Sequence, residues 1–188
     1  MKSVSISGSL RGNVGKKDAK AQRVQGMIPC VLYGGSEQFQ FTVEVAQFKD
    51  LLYTPEVRYA ELTVGSKSCN AIVQAAQFHP VTDNLLHVDF LEVIDGKPIT
   101  INIPVRITGT SPGVLRGGKL SKKVRNLKLK GEIKNIPENI MVDISNLDIN
   151  DSVKVSDLAV DNIQFLEVPG KIIASILTTR NVEEAAAE

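Results

Sequence analysis

Apolar residues recur at every second position in several stretches of this chain, and that period restricts the fold more than any other feature. Over 99–107, isoleucine or valine occupies every second position, and similar alternation runs through 4–10 and 39–45. A period of two puts alternate side chains on one face of a β-strand, whereas one face of a helix repeats every 3.6 residues. Aromatic residues make up only 5% of the chain and tryptophan is absent, so branched aliphatic side chains must fill the interior. Because such side chains favour strands, the sequence predicts a mainly β protein.

The first half of the chain contains enough strand segments to close a small barrel. The predicted strands of this half are 4–10, 28–33, 39–45, 59–64, 68–77 and 87–93. Two short helices are also predicted, over 15–25 and 46–53. Six strands with two short helices favour an N-terminal six-stranded β-barrel.

A turn-forming run, Asp-Gly-Lys-Pro at 95–98, predicts a boundary between two domains. We expect a first domain over 1–95, a β-rich C-terminal domain over 96–180 and an acidic, flexible tail over 181–188. Strands after the boundary are predicted over 99–107, 124–133, 140–144, 152–155 and 171–177. Pro104 interrupts the first of them, which predicts a sheet edge or a bulge there.

The sequence also excludes two broad classes of protein. No apolar run approaches the roughly 18–20 residues that span a bilayer, and the start lacks the apolar block of a secretory signal. We therefore expect a cytoplasmic protein with no membrane partner. Cys30 and Cys69 have no Cys-x-x-Cys spacing, which favours reduced, structural thiols over a disulfide framework or a zinc site.

Positive charge is concentrated in two tracts, although the net charge is only +1. The first tract, 11–23, carries five cations and one acid, while residues 1–94 as a whole carry nine of each sign. The second lies within 96–131, which holds nine Lys or Arg and no acid, whereas 132–188 holds eleven acids against four bases. The distribution, rather than the net charge, therefore predicts contact with nucleic acid.

The first predicted helix separates its charges from its apolar residues. At roughly 100 degrees per residue, Lys16, Lys20 and Arg23 fall within an arc of about 60 degrees. Ala21 and Val24 lie beside that arc. We expect the charged face to meet phosphates and its neighbour to meet a core.

Three blocks of sequence match one family in combination. The first is Gly15-Lys16, with cations at 20 and 23, running into Gly26-Met-Ile-Pro-Cys-Val-Leu-Tyr-Gly-Gly35. The second is Gln74-Ala-Ala-Gln-Phe-His79-Pro followed by His87-Val-Asp-Phe90. The third comprises Gly113-Val-Leu-Arg-Gly-Gly118, Ile136-Pro-Glu-Asn-Ile and Val155-Ser-Asp-Leu158. Together they resemble bacterial large-subunit ribosomal protein twenty-five, the 5S-rRNA-binding protein, in its long two-domain form, also called general stress protein CTC.

The resemblance implies a structural constituent of the large ribosomal subunit that binds 5S rRNA through its first domain and supports translation. It implies 5S rRNA and neighbouring ribosomal proteins as partners, with one copy per ribosome and no small-molecule substrate. The RNA target would be an irregular internal loop with a widened minor groove. The candidate RNA-binding residues are Arg11, Lys16, Lys17, Lys20, Arg23, Tyr33, Gln74, His79, His87 and Asp89. The cations would bind phosphates, and the other side chains would read base edges or stack.

Several of these candidates also have a purely structural interpretation. The cations can be a solvated helix face, and Tyr33 can be a tyrosine of the barrel rim with a wet hydroxyl. His79 precedes Pro80 in a predicted turn, so it is as readily structural as a contact. Lys20 stands where the family usually has arginine, and Gln22 where it usually has leucine. With lysine at position 20 the chain loses the bidentate contact that arginine makes with phosphate. With glutamine at position 22 the local packing changes.

The second basic tract has two interpretations that the sequence leaves open. It consists of Arg116, Lys119, Lys122, Lys123, Arg125, Lys128 and Lys130. On a strand, Lys128 and Lys130 would share a face opposite Leu127 and Leu129. The tract either contacts ribosomal RNA or neighbouring ribosomal proteins, or it is a solvated surface balanced by the acids of its own domain.

Catalytic and metal-binding interpretations have less support. His79, His87 and Asp89 would form an incomplete metal site with no fourth ligand indicated. A phosphate-binding loop fails because Leu10 replaces the first required glycine and Lys17 replaces the Ser or Thr that holds magnesium. We therefore predict no metal, no cofactor and no enzymatic activity. The leading alternative is a β-rich, stress-related adaptor that binds proteins through strand edges, and a phosphate-ester hydrolase using the two histidines ranks third.

Overall fold

The computed structural model describes residues 1–12, 14–35, 37–65, 67–158, 160 and 162–179. The chain divides into two compact units, Met1–Lys97 and a second that begins at Pro98. Strands dominate both units, which confirms the predicted mainly β fold class. The predicted tail, 181–188, lies outside the described residues.

The first unit is a closed barrel of six strands. Its elements are β1 (Lys2–Leu10), α1 (Lys16–Val24), β2 (Met27–Tyr33), β3 (Phe39–Glu44), a 3-10 helix (Val45–Phe48), α2 (Lys49–Leu52), β4 (Arg58–Val64), β5 (Lys67–Phe78) and β6 (Leu85–Glu92). Around the barrel the order is β1-β3-β2-β6-β5-β4. The pairs β1–β4 and β2–β6 are parallel and the others antiparallel. The predicted barrel with two short helical segments is confirmed.

Alternate side chains of the strands fill the barrel, and three phenylalanines occupy its centre. The ring centroids of Phe41 and Phe90 lie 5.9 Å apart, and those of Phe48 and Phe90 lie 6.3 Å apart. Buried aliphatic residues around them include Ile6, Leu32, Val43, Leu62 and Val88. The composition predicted an interior filled by branched aliphatic side chains, but the centre of the barrel is aromatic. Because the barrel is small, three large side chains are enough to fill its centre.

Helix α1 lies against β2 but buries none of its residues. Its half-buried positions are Asp18, Ala19, Gln22 and Arg23. These positions share one side of a helix, so that side faces the barrel. Ala21 is exposed and Val24 is 83% exposed, so the prediction that they meet a core is wrong. Polar contacts, rather than an apolar stripe, attach this short helix.

The second unit contains two separate sheets. Its elements are β7 (Ile99–Thr108), α3 (Pro112–Leu115), β8 (Lys119–Lys122), β9 (Asn126–Gly131), β10 (Ile140–Asp143), β11 (Ser152–Lys154), a 3-10 helix (Val155–Asp157), β12 (Ile163–Phe165) and β13 (Ile172–Leu177). One sheet has the order β10-β7-β9-β12 and the other β11-β13-β8. The sequence did not predict α3, β8 or β12. Within the described part of the chain, no helix has both the length and the apolar character to cross a membrane.

Pro104 lies on an interior strand of its sheet, whereas the sequence predicted a sheet edge or a bulge there. Strand β7 pairs with β9 through Pro104 and with β10 from Val105 onward. Val105 donates its N–H to the carbonyl of Arg125 at 2.9 Å, so the nitrogen of Pro104 points away from β9. On that side β10 has not yet begun to pair, and the missing N–H interrupts no ladder bond.

Candidate nucleic-acid interface

Three lysines form an uncompensated positive ridge on α1. Lys16, Lys17 and Lys20 are exposed, and none of them forms an ion pair with another residue that the structure describes. We call these three residues the lysine ridge. Two of them stand in the first turn of the helix, where the helix dipole adds further positive potential. The ridge can therefore attract phosphate.

The two arginines of the first basic tract take a different position and attach α1 to the barrel. Arg11 Nη2 lies 2.7 Å from Asp18 Oδ2, and the Arg11 side chain is only 8% exposed. Arg23 donates from Nε to the carbonyl of Leu86 at 3.0 Å. The structure thus separates Arg23 from Lys16 and Lys20, with which the helical projection grouped it. Both arginines fix the helix that presents the lysine ridge.

A polar patch lies on the outward side of β6. Val88 and Phe90 are fully buried, whereas His87 and Asp89 face outward, as the strand period predicts. His87 Nδ1 lies 2.9 Å from Asp89 Oδ1. Nδ1 is itself buried, so the contact sets an imidazole beside a carboxylate at two half-exposed positions, and both groups are of the types that can read base edges.

Strand β5 adds two glutamines to this patch. The pairing of β5 with β6 shifts between Val73 and Ala75, which leaves Gln74 as the extra, exposed residue of a β-bulge. Bulges re-aim a side chain out of the regular strand alternation. Gln77 is exposed and lies in register with His87. We call Gln74, Gln77, His87 and Asp89 the polar strand face.

Gln77 is the residue that sequence reasoning missed on this face. It stands within the second matched block, but the strand period alone gives no reason to prefer it. Its register with His87 depends on the bulge at Gln74, which shifts the alternation of β5 by one residue. A sequence signal for such a bulge is absent because no glycine or proline marks it.

Tyr33 ends β2 beside the polar strand face. Strand β2 pairs with β6, so that Val31 lies opposite Asp89 and Tyr33 opposite Leu91. Partial burial and the negative charge of Asp89 raise the pKa of Tyr33, so its hydroxyl keeps its proton and can donate. The next residue, Gly34, has φ of +100°, and a Cβ there would stand 2.5 Å from Leu91 Cδ1. Glycine lets the chain turn close to β6 while Tyr33 stays half-exposed at the rim.

His79 has a structural role in the loop between β5 and β6. Its Nδ1 accepts hydrogen bonds from the backbone N–H groups of Val81 and Thr82, each at 3.3 Å. Its backbone N–H donates to the carbonyl of Asn84 at 2.8 Å. His79 and Arg23 also line a common cavity of about 290 Å³. The loop thus lies against the end of α1, and His79 organises it.

The lysine ridge and the polar strand face belong to neighbouring elements of one unit. Helix α1 lies against β2, which pairs with β6, and Arg23 bonds directly to a β6 carbonyl. A closed barrel holds β2, β5 and β6 in fixed register. The first unit therefore presents cations and polar side chains on one scaffold.

Among the described residues, neither a metal-binding cluster nor a reactive thiol accompanies these side chains. Over the described residues, no group of three His, Cys, Asp or Glu side chains could hold a metal ion. Cys30 and Cys69 are free thiols, the first fully buried and the second half-buried. Burial raises the pKa of both thiols, so neither is a ready nucleophile.

The second basic tract is spread over several elements. In β9, Leu127 and Leu129 are fully buried while Lys128 and Lys130 face outward, as predicted. Lys122 instead donates to the carbonyl of Val105. Arg116 Nη1 lies 2.7 Å from Asp148 Oδ2. Part of the tract is therefore internally paired and part is solvated.

Comparison with known proteins matches both units. Residues 6–90 match the Ribosomal L25p family, and residues 98–180 match the C-terminal domain of ribosomal protein TL5. Large ribosomal subunit protein bL25 of Cytophaga hutchinsonii is 43% identical over 189 residues, covering 100% of this chain and 98% of that protein. The proteins of the same name from Amoebophilus asiaticus and Porphyromonas gingivalis are each 40% identical over 188 residues. The family is one of ribosomal structural proteins, which confirms the prediction of a non-enzymatic protein. With such identity over its full length, the chain belongs to the bL25 family of large ribosomal subunit proteins.

Proposed function

We propose that this protein is a structural constituent of the large ribosomal subunit and that its first domain binds 5S rRNA. The lysine ridge binds phosphates, Arg23 and Arg11 hold the ridge against the barrel, and the polar strand face with Tyr33 reads the RNA. The same assembly brings the protein into contact with neighbouring ribosomal proteins. Membership of the bL25 family supports the ribosomal assignment.

The observation that carries the RNA assignment is a set of three exposed lysines that form no ion pair with any described residue, on a helix that polar contacts fix to a rigid barrel. Each phosphate that a lysine neutralises releases condensed counterions, and this release supplies affinity without sequence information. Because Arg11 and Arg23 already have protein partners, they position the ridge before RNA arrives. Preorganisation of this kind lowers the entropic cost of binding.

The polar strand face supplies selectivity. Gln74 and Gln77 each offer an amide donor and acceptor, His87 a ring nitrogen, and Asp89 an acceptor. These groups lie on a convex barrel surface, which fits a shallow groove rather than the deep, narrow major groove of A-form RNA. An irregular 5S rRNA helix with a widened minor groove is the target that this face fits.

Binding of the full-length protein to 5S rRNA, compared with a fully paired RNA helix of equal length, tests the proposal. We expect 5S rRNA to bind more tightly by about 10- to 1000-fold, corresponding to roughly 1–4 kcal/mol of discrimination. Equal affinity for the two RNAs would show that the polar strand face reads nothing.

Two triple variants that lose the same number of positive charges distinguish RNA binding by the lysine ridge from RNA binding by positive charge in general. The ridge variant is Lys16→Gln/Lys17→Gln/Lys20→Gln, and the control variant is Lys119→Gln/Lys128→Gln/Lys130→Gln in the second unit. All six lysines are exposed. We expect the ridge variant to bind 5S rRNA about 10- to 100-fold more weakly at low salt, and the control variant to bind nearly as the parent does. Co-sedimentation with large ribosomal subunits should fall in the same order, whereas an adaptor that binds proteins alone would stay in the supernatant.

A further inference from the structure

The second unit contains a groove whose charge is opposite to that of the lysine ridge. The groove has a volume of about 850 Å³ and follows the whole of β10, with Ser152 and Val153 of β11 on its other side. Leu147, Leu158 and Val160 add apolar lining. Such a volume is ample for several residues of an extended peptide.

Two strand edges border this groove. Strand β10 is the end strand of the four-stranded sheet and β11 the end strand of the three-stranded sheet, and among the described strands neither has a second neighbour. The end strand of a sheet leaves a row of backbone N–H and carbonyl groups unpaired, which is a template for an added strand. Met141, on β10, is 66% exposed and lines the groove. A flexible thioether of this kind adapts to a partner's apolar side chains.

The charges at the groove are acidic. Glu138, Asp143 and Asp157 line it, and the described lining residues include no lysine or arginine. Hydrogen bonds from Ser145 lower the pKa of Asp143, and the backbone N–H of Lys154 with the Ser156 hydroxyl lowers that of Asp157. Both carboxyl groups are therefore ionised near neutral pH. Lys154, the last residue of β11, is close to Asp157 of the following 3-10 helix, but Lys154 does not line the groove.

We propose that this groove binds an extended, basic segment of a partner protein, which adds a strand to the edge of β10. Its backbone pairs with the edge of β10, its lysines or arginines meet Glu138, Asp143 and Asp157, and its alternate apolar side chains contact Met141 and the groove floor. RNA is excluded as the occupant, because phosphates would face three carboxylates. The inference concerns the second unit and does not depend on how the first unit binds RNA.

The probe for the full-length protein is a synthetic peptide of about eight residues in which lysine and valine alternate. A peptide of this length is longer than the short strand β10, so it can pair along the whole edge of that strand. We expect it to bind and to shift the backbone amide resonances of 140–143 and 152–154. A glutamate–valine peptide and a single-stranded RNA oligonucleotide should leave those resonances in place. If the basic peptide fails to bind, or if its shifts fall elsewhere, the proposal is wrong.

Two surface variants with a matched control assign the binding to the groove. Met141→Lys and Asp143→Lys each place a positive charge at exposed positions of β10, while Glu44→Lys makes the same charge reversal as Asp143→Lys at an exposed position of the first unit. We expect each groove variant to weaken the basic peptide by about tenfold or more, and Glu44→Lys to have little effect. Thermal unfolding of each variant checks that the fold is kept. Equal weakening by Glu44→Lys, or no weakening by the groove variants, would overturn the assignment.

Discussion

Individual side chains of the first unit divide into those that hold the scaffold and those that face solvent. Arg11, Asp18 and Arg23 carry charge, yet their contacts fix α1 to the barrel. Lys16, Lys17 and Lys20 have no such contacts with described residues. The charge of a side chain alone therefore does not distinguish an anchoring residue from a solvent-facing one, whereas its partners and exposure do.

His79 belongs to the anchoring class, and its replacement should act mainly on stability. We expect His79→Ala to lower the free energy of unfolding by about 1 kcal/mol, because the N–H groups of Val81 and Thr82 lose their acceptor. Chemical denaturation measures the change. Val81→Ala is the control, since Val81 is 83% exposed in the same loop and should change stability little. Equal stability of His79→Ala and the parent protein would refute the loop-closing role.

Asp89 is half-buried but faces outward from the barrel beside His87, and its replacement should act mainly on RNA selectivity. Asp89→Asn keeps the shape of the side chain but replaces one acceptor with a donor. We expect it to reduce the preference for 5S rRNA over a paired helix by about 1–3 kcal/mol, with stability nearly unchanged. Parallel RNA titrations measure the preference, and Asp50→Asn on α2 is the control for loss of one negative charge. A preference that survives Asp89→Asn would remove Asp89 from the reading surface.

At the scale of elements, the closed barrel depends on close approach between neighbouring strands. Gly8 on β1 illustrates this, because a Cβ there would stand 2.7 Å from Phe41 Cδ2 and 3.1 Å from the carbonyl of Thr42. Phe41 is fully buried beside Phe90, so its ring has little room to move. The small residue at this position of β1 therefore serves close packing against β3, in addition to the alternation of inward- and outward-facing side chains.

Gly8→Ala should therefore destabilise the barrel. We expect a loss of about 1–3 kcal/mol in the free energy of unfolding, from overpacking against Phe41. Gly12→Ala is the matched control, because a Cβ at Gly12 meets nothing within 4 Å, and it should be neutral or slightly stabilising. Denaturant unfolding of both variants makes the comparison. Equal effects of the two substitutions would contradict the packing argument.

Sequence patterns predicted the elements that carry strong alternation and missed those that depend on distant partners. Strands β1, β3 and β7 follow from their period of two, whereas β2 follows from a compact apolar run and the pair β4–β5 from a hairpin turn. Strand β8 carries one apolar residue, Leu120, and becomes a strand because it pairs with β13, more than fifty residues later in the chain. The three-residue β12 likewise takes its conformation from pairing with β9. Long-range pairing of this kind leaves little local signal.

The candidate site was predictable in composition and less so in orientation. The first basic tract, the polar residues of β6 and the ribosomal family were all visible in the sequence. The orientation of α1 was not, because Ala21 and Val24 suggested a buried face while the helix is attached through Arg11, Asp18 and Arg23. The bulge at Gln74 was also invisible, since it depends on how β5 pairs with β6. Contacts between residues far apart in sequence decide both features.

For the whole molecule, the distribution of charge, rather than the net charge of +1, governs the RNA binding that we propose. The first unit concentrates three exposed lysines on one short helix, while acidic side chains line the groove of the second unit. Opposite charges on different surfaces would let one chain carry out both proposed interactions, with RNA and with a basic protein segment, without attracting phosphate everywhere. Affinity for RNA should therefore depend on the lysine ridge and on ionic strength, not on the net charge of the chain.

The salt dependence of 5S rRNA binding tests this claim most directly. For the parent protein, the logarithm of the association constant should fall linearly with the logarithm of salt concentration, and the ridge variant should show a slope smaller by about 2–3, because each lost phosphate contact removes roughly 0.7–0.9. The control variant of the second unit should keep the parent slope. A slope that the ridge variant leaves unchanged, or that the control variant reduces equally, would contradict the account.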